Sequence, residues 1–264
     1  TEAFRALPIN EMDELAGRRL QFWKDWVEHS TYDGYWKAIN TEEQWDEIAV
    51  PAFNMGGWYD LYAQHAFINF NGLRQHGRTR EARQSKIIVG PWPHALSTST
   101  RTGDIDFGAP SMVDLDAEEL RWFDYWLKGI DNGIVDEPPL RLFIMGINQW
   151  RDEHEWPLAR PQWQTWHLHS GGRANSVLGD GRLDPDPPQQ ESADQFTYDP
   201  EYPVQTMGGN NCCSPHIVPW GPYDQRPVEM RNDVLCYTSA PLEADLEVTG
   251  PIVLVLYAAT DAPD

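Results

Sequence analysis

Two loops carry the side chains of greatest chemical interest, Gly56-Gly57-Trp58-Tyr59-Asp60 and Gly90-Pro91-Trp92-Pro93-His94. Each places a titratable group just after an apolar run that reads as a buried strand, and open α/β sheets build their sites at the C-terminal ends of parallel strands. As neighbours in one βαβ unit, the two strands would bring Asp60 and His94 to a shared rim. A carboxylate that holds an imidazole in one tautomer is the supporting half of a catalytic triad. Aspartate before histidine is the order of α/β-hydrolases, in which the nucleophile precedes both. Each residue also has a plainer reading. Asp60 stands where the N-cap of the following helix belongs, and His94 can be a loop histidine satisfied by backbone. A cap would accept from the backbone N–H of Tyr62 or Ala63 with His94 elsewhere; a triad carboxylate would meet the imidazole.

The elements that must position these residues show as periodicity and turn chemistry. Asn10 and Asp13 form a loose capping signal, and Met12, Leu15, Phe22, Trp23, Trp26 and Val27 share one stripe, predicting a helix over about 11–28. After Pro51, residues 52–55 read as a buried strand ended by Gly56 and Gly57; 61–73 have helical spacing; 86–89 form a second strand closed by Gly90 and Pro91. Strand, helix, strand predicts a right-handed βαβ unit of a parallel sheet. A Ser/Thr/Gly/Asp loop over 97–113 precedes a helix from Asp116 with Leu120, Phe123 and Leu127 inward and Gly129 as terminator, and 140–145 form another strand. From about Trp163 the texture changes to strands at Trp166, Leu168 and 251–259, separated by stretches such as 184–188, and a second, all-β domain is expected there. The fold class is therefore α/β followed by all-β.

Composition narrows the function. With 20 Lys plus Arg against 41 Asp plus Glu, the net charge of −21 repels phosphate backbones and anionic headgroups, so neither nucleic acid nor membrane is an expected partner. The longest apolar run, 252–259, is far short of the roughly twenty residues a membrane helix needs and reads as a buried strand. Cys212, Cys213 and Cys236 cannot all pair and lack zinc spacing, which predicts reduced thiols and a cytoplasmic protein. The chain starts at Thr1 without a signal peptide and its last apolar strand stops just short of Asp264, so it reads as an excised piece. His167 and His169 share one face of a predicted strand but no third ligand lies nearby, so no metal is expected, nor any cofactor. Trp150, Trp156, Trp163 and Trp166 are close enough in sequence for a sugar-stacking platform, although such residues at a domain junction are more often core.

The two loops, together with Trp122-Phe123-Asp124-Tyr125-Trp126-Leu127-Lys128-Gly129, Met145-Gly146-Ile147-Asn148-Gln149-Trp150-Arg151, Asp199-Pro200 and Arg231-Asn232-Asp233-Val234-Leu235, resemble the cocaine esterase / X-Pro dipeptidyl-peptidase (CocE/NonD) family of serine hydrolases. The resemblance runs in order along nearly the whole chain. It implies Asp60 as the triad acid and His94 as the general base that later returns the proton to the leaving group. Family members combine an α/β-hydrolase domain, an inserted helical cap and a C-terminal jelly roll. By motif, residues 1–44 correspond to the tail of the cap, 45–160 to the second half of the hydrolase domain, and 161–264 to a truncated jelly-roll β-sandwich.

One departure is large. No serine or cysteine has glycine both two residues before and two residues after it, as the nucleophile elbow requires, and only Ser30 precedes Asp60. The nucleophilic serine and the first part of the sheet, with its oxyanion-hole donors, are absent from this chain. The expectation is a serine hydrolase that cleaves a small-molecule ester or amide, or a peptide, through an acyl-enzyme, with these residues inactive alone. The rival is a non-enzymatic β-sandwich module that binds carbohydrate or a partner chain.

Overall fold

A computed structural model of the chain describes residues 7–96, 98–212, 214 and 216–262. Three short helices come first, α1 (Met12–Leu15), α2 (Gln21–Glu28) and α3 (Gly34–Lys37). The single helix expected over 11–28 is thus two, because Gly17 takes a φ of +89° that a right-handed helix cannot continue through. Asp13 serves this break: its carboxylate accepts from Leu20 N at 2.7 Å and pairs with Lys24 at 2.9 Å.

The site is carried by the next three elements, β1 (Phe53–Tyr59), α4 (Ala63–His76) and β2 (Lys86–Pro93). They are followed by the hairpin β3 (Arg101–Thr102) and β4 (Ile105–Asp106), helix α5 (Leu115–Lys128), and the hairpin β5 (Leu140–Ile144) and β6 (Gln149–Glu153). The strands form a four-stranded mixed sheet of order β1-β2-β5-β6, in which β1, β2 and β5 are parallel and β6 returns antiparallel. Both site strands run further than their apolar cores suggest, β1 through Gly56 and Gly57 to Tyr59 and β2 through Pro91 to Pro93. Proline is normally excluded from a strand paired on both sides. Here β5 pairs with β2 only from Ile87 to Val89, so beyond that point Pro91 and Pro93 interrupt no ladder bond on that side.

Alternation in β5 sorts the two faces. Leu140, Leu142 and Ile144 pack with Ile87 and Val89 against Phe67 and Phe70 of α4, with Leu158, Trp58 and Trp156 closing this core. On the opposite face Trp122 of α5 is 4% exposed and stacks on Phe53, ring centroids 5.7 Å apart. Helix α5 starts and stops on local signals: Asp114 accepts from Ala117 N, and Gly129 closes the helix at φ +67°. Its inward face is not the expected one. Leu120, Phe123 and Leu127 are exposed, Leu127 to 76%, and the Trp122 side faces the sheet. Both stripes satisfy helical spacing, and the sheet takes the one with the larger aromatic payload.

The C-terminal half holds β7 (His167–His169) and β8 (Arg182–Asp184), an antiparallel pair, and the short helix α6 (Arg226–Glu229), joined by isolated bridges such as Asn175 with Leu235 and Gly209 with Gly221. The chain is therefore a mixed α/β sheet followed by further short strands. The buried strand expected over 252–259 is not formed: Ile252 to Tyr257 are exposed, Tyr257 to 96%, and among the described residues nothing pairs with them. Apolar on both faces, such a segment needs cover on two sides as well as ladder partners. Cys212 is disulfide-bonded, which corrects the expectation of thiols at that position, since spacing rules carry no information on Cβ geometry; Cys236 is free, and Cys213 lies outside the described residues. No described helix is long and apolar enough to cross a membrane.

Candidate active site

The register of β1 and β2 places the two titratable residues. Tyr59 pairs with Pro93, so the next residue on each strand, Asp60 and His94, leaves the sheet at the same rim. His94 Nδ1 lies 3.2 Å from Asp60 Oδ1 and 3.2 Å from Oδ2. Asp60 is 5% exposed, whereas the imidazole is partly open to solvent. Because a carboxylate can only accept, Nδ1 donates, and the neutral ring then keeps its lone pair on Nε2. Among the described residues nothing bonds to Nε2. A buried carboxylate, an oriented imidazole and a free nitrogen beyond it make an arrangement able to accept a proton from a nucleophile placed there.

The carboxylate has a local partner as well. Tyr62 N donates to Asp60 Oδ1 at 2.9 Å, an Asx turn that leads into α4. The helix itself begins at Ala63 with Tyr62 at its N-cap position, so Asp60 stands two residues ahead of a true cap. The local bond and the bond to His94 coexist, and the Asx turn aims the carboxylate that the imidazole meets. Tyr62 also lays its ring against that of His94, centroids 5.6 Å apart.

Both tryptophans of the site loops are anchors. Trp58 donates its indole N–H to Phe143 O at 2.8 Å and stacks on Phe67; Trp92 is buried and donates to Ser111 O at 3.2 Å. The glycines permit close approach rather than sharp turns, as none of Gly56, Gly57 and Gly90 lies in the left-handed region. A Cβ on Gly57 would sit 2.1 Å from Trp92 O, and one on Gly90 would sit 2.3 Å from the Trp92 ring. A cavity of about 250 Å³ lies along β1 beside Asp60, lined by Asn54, Gly56, Tyr62, His65 and Asn69.

One site contact had no signal in the sequence. Asn210, 150 positions beyond Asp60, donates its amide N–H to Asp60 O at 2.9 Å and to Trp58 O at 3.2 Å. The remaining candidates fall elsewhere. Trp150 packs on Trp92 and Phe143, Trp156 stacks on Phe67, and Trp163 is exposed. His169 bonds Glu191 Oε1 through Nδ1 at 2.6 Å and Asp186 O through Nε2 at 2.9 Å, which leaves it no lone pair for a metal. Among the described residues no group of three or more His, Cys, Asp or Glu is arranged to hold one.

Two acceptors on one ring require two N–H donors, so His169 is held as an imidazolium. The Glu191 carboxylate bonded to it raises its pKa above the ordinary imidazole value. A group whose folded pKa is raised contributes stability fully present below its unfolded value, about 6.5, and loses it as pH rises through the folded value. The parent chain is therefore expected to melt higher than Glu191→Gln at about pH 6, with the gap closing toward about pH 9 in a series of thermal melts.

Comparison with known proteins gives two blocks of similarity. The family model for X-Pro dipeptidyl-peptidase (S15 family) matches residues 3–96, and that for the X-Pro dipeptidyl-peptidase C-terminal non-catalytic domain matches residues 132–264. The chain is 34% identical over 254 residues to the cocaine esterase of Rhodococcus sp. (strain MB1 Bresler), covering 95% of this chain and 43% of that protein. Among solved structures it is similar to an aminopeptidase from the marine sediment archaeon Thaumarchaeota archaeon, with a TM-score of 0.67 at 23% identity, covering 91% of this chain and 39% of the other. The chain thus spans less than half the length of the proteins it is compared with.

Proposed function

The chain belongs to the X-Pro dipeptidyl-peptidase family of hydrolases in which cocaine esterase is found, and from that premise we propose that Asp60 and His94 are the acid and the base of a serine-hydrolase triad. The observation that carries the reading is the bond from His94 Nδ1 to the buried Asp60 carboxylate, with Nε2 left open on the far side. In the complete protein Nε2 takes the proton of a serine hydroxyl as its oxygen attacks the substrate carbonyl. The carbonyl π electrons move to the oxygen, and collapse of this intermediate expels the alcohol or amine, which leaves with the proton from Nε2. Water then repeats the sequence on the acyl-enzyme. Asp60 holds the tautomer and stabilises the transient imidazolium.

The serine and the oxyanion-hole donors come from outside these 264 residues, as no G-x-S-x-G or equivalent cysteine motif occurs among them. On this reading residues 1–44 are the tail of a cap, 45–160 the second half of a hydrolase domain, and 161–264 part of a jelly roll. The substrate is an ester or an amide, peptides included. The similarity to proteins described as an esterase and as peptidases supports that class.

Fluorophosphonate labelling of the full-length protein, followed by peptide mapping, tests the assignment. The expected adduct is on one serine in a G-x-S-x-G sequence upstream of Asp60, and labelling is lost in His94→Ala. An adduct that forms at the parent rate in His94→Ala overturns it.

A further inference from the structure

A loop of the C-terminal half reaches the rim that carries Asp60 and His94, inside the region matched to a domain described as non-catalytic. Its tip is Asn210. The two hydrogens of one amide nitrogen go to two carbonyls of the turn that bears Asp60, those of Trp58 at 3.2 Å and Asp60 at 2.9 Å. The loop is braced behind that tip. Gly209 and Gly221 exchange backbone bonds at 2.7 Å and 3.0 Å, and Asn211 donates to Gly208 O at 2.5 Å and Pro219 O at 3.2 Å.

The same loop also reaches the His94 strand indirectly, through Thr102 of β3. A Cβ on Gly221 would fall 2.7 Å from Thr102 Cγ2, and Thr102 Oγ1 donates to Pro91 O at 2.8 Å, three residues before His94. Next to it, Pro222 O accepts from Asp104 N at 2.8 Å. The braced stretches 208–212 and 216–222 therefore hold the Asp60 turn through Asn210 and the loop after His94 through Gly221 and Pro222. The carboxylate and the imidazole it meets are on different strands, and at 3.2 Å their bond is at the long end of the useful range. Small changes in the relative position of the two strand ends would break it.

We propose that Asn210 is a positioning residue for the hydrolytic reaction: by holding the carbonyls of Trp58 and Asp60 it sets the Asp60 carboxylate against His94, and the braced stretches 208–212 and 216–222 are the clamp that carries it. The proposal rests on the triad reading given above. Carbonyl oxygens demand a donor, so the side chain must present N–H here, and an isosteric carboxylate would oppose both oxygens.

The test is steady-state kinetics of the full-length protein on a p-nitrophenyl ester. Asn210→Ala is expected to lower kcat about tenfold with KM within about twofold, the size of effect that follows when orientation and not binding is lost. Asn210→Asp should lose at least as much, and Asn210→Gln, which keeps the amide donor, should recover part of the loss. In an Asp60→Asn background, Asn210→Ala should change kcat by less than about twofold, because the orientation it protects is already gone. A full tenfold loss in that background overturns the proposal, since the effect then bypasses Asp60. So does a kcat within about twofold of the parent for both Asn210→Ala and Asn210→Asp while Asp60→Asn remains crippled, an outcome that leaves the triad standing. An Asp60→Asn protein with near-parental kcat removes the triad reading itself, and this inference with it.

Discussion

Asp60→Asn in the full-length protein is expected to lower kcat by about 10⁴ with little change in fold or KM. The substitution separates the two roles that the structure unites in this carboxylate. An asparagine Oδ1 accepts from Tyr62 N as well as the aspartate does, so the Asx turn into α4 survives. With Oδ1 held by that N–H, the amide NH₂ is turned toward His94. It offers a donor where the imidazole needs an acceptor, so the ring takes the other tautomer, Nδ1 accepts, and Nε2 carries the hydrogen. A ring protonated on Nε2 cannot take a proton from the nucleophile. The measurement is turnover of a p-nitrophenyl ester with a thermal melt as the control for folding. Most of the activity surviving in a protein that melts like the parent would mean that Asp60 serves the turn alone.

The 264-residue chain on its own is expected to show no ester turnover above the buffer rate and no serine labelling by a fluorophosphonate, because loss of a triad nucleophile costs about 10⁶ in kcat. The described serines support this. Ser85 is buried, donates to Ala82 O at 2.7 Å and accepts from Ala52 N at 2.9 Å; Ser111 donates to Gly108 O at 2.8 Å. Among the described residues no serine or cysteine is hydrogen-bonded to His94. Without a nucleophile at Nε2 the pair can hold a proton but cannot form an acyl-enzyme. Mass spectrometry after incubation with the probe decides the matter, and an adduct on any serine of this chain at the rate of a catalytic serine would relocate the nucleophile.

What could be read from the sequence is what short-range physics writes there. The strand-helix-strand unit showed as a change of hydrophobic period between 52 and 89, and Gly129 marked the end of α5 because only glycine enters the left-handed region at no cost. The same logic brought Asp60 and His94 to one rim, since neighbouring parallel strands deliver the residues after their ends to the same side. Three things were decided by tertiary structure. The inward face of α5 depended on which of two apolar stripes met Phe53, and periodicity weighs the two alike. The segment 252–259 has every strand property except a partner, and pairing is a property of two segments, not of one. Asn210 is an ordinary loop asparagine until the fold brings it across 150 positions to the carbonyls of the Asp60 turn, because a hydrogen bond is specified by where its acceptor ends up and not by the residues around its donor.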